Sequence, residues 1–155
     1  MHLRLLPLLA LALSGCITVV VPPDDAADGA ASARMALEQG QRRTEARQIE
    51  RRQANLDAIS NMAVRIASDV QAWALKPTQF GGGGRSMDGV TLEKLGYRVD
   101  GDRYINLDGT FWLTEEEEGV HVHGDAPVFG HGVTVRVTGF EYTDLALSVR
   151  STRDR

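Results

Sequence analysis

Three histidines lie near one another in the second half of the chain: His121, His123 and His131, with Asp125 among them. His121 and His123 are two residues apart, so on a strand both rings leave the same side. A facing strand would bring His131 alongside, and imidazoles with a carboxylate form a zinc-like donor set. The plainer reading is a polar strand face, because Val120 and Val122 claim the core side. Glu115 to Glu118 form an acidic run at a hairpin tip. Such a run either holds a cation weakly through its oxygens or is simply solvated. Trp112 has the opposite parity to Phe111 and Leu113, and an aromatic on the outer side of a sheet flags a contact surface. No serine sits in an elbow motif and no histidine has a triad context. Gly81 to Gly84 lacks the lysine and hydroxyl residue of a phosphate loop, and no strand precedes it. The glycines read as a hinge or a close-packed turn. These residues point to no enzyme and no cofactor.

The elements that position these residues fall into two kinds. From 30 to 76 the chain reads as one long helix, with Asp28 or Ser32 as its cap and Pro77 as its stop. Ile49, Leu56, Ile59, Ala63, Ile66, Val70 and Trp73 recur at helical spacing and form an apolar stripe. The first half, rich in Arg42, Arg43, Glu45 and Arg47, has no stripe. It frays or is held by a partner. A Gly-rich turn covers 77–90, with a helical turn expected over Thr91 to Leu95.

From 97 to 150 the pattern alternates. Ile105 with Leu107, Phe111 with Leu113, Val120 with Val122, Val133 to Val137, and Leu145 to Val149 each share a face. Turn signals separate the runs. This predicts an antiparallel meander of four or five strands with one apolar face. The helix stripe and the sheet face are the two large apolar surfaces, and each buries the other. The fold class is α+β: one long helix packed by its C-terminal half on the meander.

Composition sets limits. The chain has 155 residues, 17 basic and 21 acidic side chains, a net charge of −4 and one cysteine. Residues 29–76 carry eight basic and five acidic groups, whereas 85–155 carry eight and thirteen. A mildly acidic chain gives no electrostatic case for nucleic-acid binding.

The lone cysteine follows a short apolar run, Leu5 to Leu13, in the order Leu13-Ser14-Gly15-Cys16. The run is far shorter than the ~20 residues of a transmembrane helix and suits a signal peptide with Arg4 as its basic region. The segment resembles the lipobox of bacterial lipoproteins. That resemblance implies cleavage between Gly15 and Cys16, acylation of Cys16, and anchorage in a lipid bilayer. Ile17 rather than Asp after the cysteine implies delivery to the outer membrane of a Gram-negative envelope. Residues 1–15 are then the signal peptide, 16–29 the lipidated cysteine and a tether, and 30–155 the folded domain. Val20-Val21-Pro22-Pro23 reads as extended tether, because proline biases its predecessor away from helix.

A second resemblance covers roughly residues 50–150. Arg52 to Ile59, Ala67 to Trp73, Lys76-Pro77, Gly81 to Gly84 and Ser86 to Thr91 resemble a group of bacterial type IV pilin-like proteins. In these a long helix ends in a basic-Pro step, then a polyglycine turn, then a small sheet rich in Val and Thr. Pilins begin with a hydrophobic helix, whereas residues 30–48 here are polar and a lipobox stands in front. The resemblance therefore implies a pilin-like head and stalk retained on a lipid anchor, with envelope or pilus-like assembly proteins as partners and a structural or adhesive role. Two alternatives stay open: a periplasmic ligand- or metal-binding module using the His121, His123 and His131 face, and an oligomeric coiled-coil stalk.

Overall fold

The computed structural model describes residues 23–151, with side chains from residue 29. Gly15, Cys16 and the signal segment lie outside the described residues.

Helix α1 spans Pro23–Leu75. It begins seven residues before the expected Ala30, so Ser32 is interior rather than a cap. Proline suits a first helical position: its fixed φ is helical, and the N–H it lacks has no partner there anyway. Pro23 thus marks the helix start rather than belonging to an extended tether. Every residue from 29 to 51 is exposed. Ile49, placed on the stripe by spacing, is 67% exposed. The buried stripe starts later and is wider than expected, with Ile59, Ala63, Ile66, Ala67, Val70 and Ala74 all at 0% exposure. Small Ala63, Ala67 and Ala74 let the helix backbone approach the sheet.

Pro77 ends the helix, and the glycines then fold back onto its last turn. The amides of Gly83, Gly84 and Arg85 donate to the carbonyls of Trp73, Lys76 and Ala74 at 2.9, 2.9 and 2.6 Å. Trp73 and Ala74 belong to the last turn, whose carbonyls lack partners within the helix, and Lys76 follows it directly. A Cβ at Gly82 would stand 2.2 Å from the Lys76 oxygen, and one at Gly83 2.0 Å from the Ser86 oxygen. The polyglycine run is therefore a close-packed helix cap. The Trp73 indole N–H fastens it further by donating to the Gly81 carbonyl at 3.0 Å.

Six strands follow: β1 Val99–Asp100, β2 Arg103–Ile105, β3 Thr110–Glu116, β4 Gly119–Ala126, β5 His131–Val137 and β6 Leu145–Ser151. They form one antiparallel sheet in sequential order. The class is α+β, with six strands in place of four or five. The additional strand comes from the two- and three-residue pair β1 and β2. Tyr104 pairs with Phe111 and takes the helix side. Ile105 therefore points outward and is exposed, as is Leu107 in the following turn, against their expected place in the core.

The core joins the helix stripe to Phe111, Val120, Val122, Val133, Val135 and Val137, with Val90 and Leu92 closing one side. Tyr97, Tyr104 and Phe111 form an aromatic row, with ring centroids 5.0 and 6.0 Å apart. The Tyr97 hydroxyl donates to Asp69 on the helix at 2.5 Å. Burial and the neighbouring Asp69 carboxylate push the Tyr97 phenol well above its ordinary range. Leu145 lies at the edge of this core, while Leu147 and Val149 are half exposed.

Candidate functional site

Alternation on β3, β4 and β5 sends one set of side chains away from the helix. Trp112 and Thr114 come from β3, His121, His123 and Asp125 from β4, and Thr134 and Arg136 from β5. Register places Trp112 opposite His123, Thr114 opposite His121, and His123 opposite Thr134. The outer face is thus a ladder of directly opposed pairs, the arrangement in which cross-strand side chains meet.

His123 is the centre of this ladder. Its Nε2 lies 2.8 Å from the Thr114 hydroxyl and its Nδ1 lies 3.1 Å from the Thr134 hydroxyl. Two hydroxyls that both donate and accept suit a neutral ring, which has one N–H and one lone pair. Burial, the Arg150 guanidinium and the His121 ring hold His123 below its ordinary pKa, with Glu116 opposing them. Trp112 stacks on His123 with centroids 5.1 Å apart and planes 19° apart. Arg103 from β2 sits 5.1 Å from the Trp112 ring centroid, a cation–π contact. The indole flagged as a contact residue is therefore engaged by its own sheet neighbours and is half-buried.

His121 meets His123 edge-on at 6.2 Å. Its Nδ1 lies 3.1 Å from Glu116. Its Nε2 is buried without a hydrogen-bond partner, as is Oδ1 of Asp125. The acidic run is not a merely solvated tip. Glu115 accepts from the Gly89 amide at 2.7 Å, Glu116 faces His121, and Glu118 pairs with Arg136 at 2.7 Å.

His131 does not join the other two histidines. It pairs with Ala126, which is buried on the helix side, so its ring leaves the opposite face. There Nε2 lies 3.1 Å from the Asn55 amide oxygen, and the ring stacks on Phe129 at 6.1 Å. Burial and the Arg52 charge lower its pKa, with Asp125 opposing. Asn55 also donates to the Asp108 carbonyl at 3.0 Å, tying the helix to the β2–β3 turn. Both nitrogens of His123 are engaged by threonines and His131 is across the sheet. His121 Nε2 is buried without a hydrogen-bond partner. Among the described residues, no group of three or more His, Cys, Asp or Glu side chains is placed to hold a metal ion.

Two polar anchors escaped the sequence reading. Gln71 is 6% exposed and donates to the carbonyls of Gly139 and Glu141 at 2.9 and 2.6 Å, which pins the β5–β6 connection to the helix. Asn55 does the same at the opposite end of the sheet. A polar residue one position off an apolar helix stripe is the only signal for either. Comparison with protein-family models, curated proteins and solved structures finds no match for this chain.

Proposed function

We propose that this chain is a lipid-anchored protein of the bacterial cell envelope, held by acylated Cys16 in the outer membrane. Its helix-plus-sheet domain, pilin-like in plan, works as a structural or adhesive contact module and carries out no catalysis. The observation that carries the contact role is the helix itself. Residues 29–51 are exposed without exception, and a polar helix with no apolar stripe is poorly stable alone. An envelope or pilus-like assembly protein lying along it would supply the missing contacts. The anchor reading is supported by the Leu13-Ser14-Gly15-Cys16 sequence alone. A diacylglyceryl group plus an amide-linked acyl chain provides the multiple chains that stable anchoring needs.

Mass spectrometry of the protein extracted from membranes tests the anchor. The expected chain begins at Cys16 and carries acyl groups; an unmodified Cys16 would contradict it. Photo-crosslinking from Arg42 in intact cells tests the contact role. An adduct with an envelope protein is expected, and the lack of any adduct would contradict the role.

A further inference from the structure

The two edges of the sheet are built differently. β1 is two residues long, a short edge of the kind that resists pairing with other chains. β6 is seven residues long and pairs with β5 in unbroken register, from His131 with Ser151 to Val137 with Leu145. It has no proline and no acidic residue, and Arg150 is its single charge. β6 is last in the strand order, so no strand covers its outer edge among the described residues.

β6 also carries an unfinished apolar face. Leu147 pairs with Val135 and Val149 pairs with Val133, and both partners are at 0% exposure in the core. Directly paired residues share a side of the sheet, so Leu147 and Val149 belong to the helix-side face. They are nevertheless 49% and 53% exposed. The helix covers β5 and stops short of β6.

We propose that β6 is a self-association edge, occupied by β6 of a second copy of this chain in antiparallel pairing about a two-fold axis at Ser148. The residues of β6 fit this occupant. With Ser148 opposite the partner's Ser148, Leu147 falls opposite the partner's Val149 and Val149 opposite the partner's Leu147. The two-fold keeps both helix-side faces on one side, so four half-exposed aliphatic side chains cover one another. Arg150 falls opposite the partner's Ala146, a residue small enough to lie beneath it. The two Arg150 charges are then four positions apart, ~14 Å along the strand, beyond the ~8 Å screening length of physiological salt. Arg136, beside Ala146 in the sheet, is already paired with Glu118. The interface is isologous, the form in which one patch completes itself. It goes beyond the helix contact of residues 29–51 and is independent of the lipid anchor.

Disulfide trapping in intact cells tests the register. Cys16 is the native cysteine, so Ser148→Cys adds one new thiol. Facing residues in an antiparallel pair have Cα atoms ~4.5–5.5 Å apart, within the ~4.4–6.8 Å a disulfide spans. Oxidation of S148C is expected to yield a covalent homodimer, whereas A146C alone yields none. Mixed expression of A146C and R150C is expected to restore the crosslink. Light scattering of the purified full chain in detergent should give two copies per particle, falling to one for Leu147→Glu with Val149→Glu. Circular dichroism checks that this variant keeps its sheet. A single copy in wild type with no S148C dimer would overturn the proposal. So would an S148C adduct with a different protein, an outcome that leaves the contact role standing. A dimer that survives the double glutamate variant would place self-association elsewhere and overturn it too.

Discussion

The two faces of the central strands are made by different means. The helix side of β3, β4 and β5 is Phe111, Val120, Val122, Val133, Val135 and Val137, all buried by the helix stripe. It depends on volume and parity, and many apolar residues of similar size would serve. The outer side is a chain of specific contacts running Arg103, Trp112, His123, with Thr114 and Thr134 on the two ring nitrogens. It depends on register, because each contact is a directly opposed or adjacent pair. The first face stabilises the domain; the second holds the strands in one alignment.

Breaking the inner face should cost most. Phe111→Ala removes the largest fully buried side chain and should destabilise the domain by ~3–5 kcal/mol, read as a lower urea midpoint. On the outer face, His123→Ala loses the indole stack and both threonine contacts, and should cost ~1–2 kcal/mol. The same residue gives this face a pH dependence. Burial lowers the folded-state pKa of His123 below 6.5, so the unfolded chain binds the proton more readily. That contribution is present above the unfolded value and is lost as pH falls through the folded one. His131 shifts in the same direction. The urea midpoint should therefore drop between about pH 7 and about pH 5, and His123→Gln should flatten part of that slope.

Arg103→Ala tests the end of the ladder. An exposed cation–π contact contributes ~0.5–1 kcal/mol, and Trp112 fluorescence should shift as the cation leaves. Leu107→Ser should leave the midpoint unchanged, because the side chain is fully exposed in the β2–β3 turn. A large loss there would mean that Leu107 belongs to the inner face, as simple alternation suggests.

The inner face was the legible one. Helical spacing located Ile59 to Trp73, and alternation located Val120 with Val122 and Val133 to Val137. Alternation failed where strands were too short to repeat. Ile105 ends a three-residue strand whose register with β3 turns Tyr104 inward instead. Alternation also located Leu147 and Val149 on the core side, but it could not say where the helix ends laterally. The helix start is hard to read from sequence because Pro23 disfavours helix in the residue before it and yet itself fits the first helical turn.

The outer face was half legible. Period two placed His121 and His123 together and Trp112 on their side. His131 has the parity of Val133, Val135 and Val137, which alone places it on the helix side if β5 is one regular strand. Expecting it beside His123 put nearness in sequence ahead of parity. The threonine contacts and the Asn55 link depend on register and on partners up to 76 residues away. No local pattern encodes either.

We propose that the folded domain and its attachment are separate devices: a helix–sheet core that folds without the anchor and an acylated Cys16 that holds it to a membrane. Expression of Cys16→Ser beside the natural chain, with membrane fractionation and a thermal melt of both, tests this most directly. The account predicts that the natural chain fractionates with membranes and the variant does not, while both melt at the same temperature. A variant that stays in the membrane fraction, or whose core unfolds with the loss of the thiol, would contradict it.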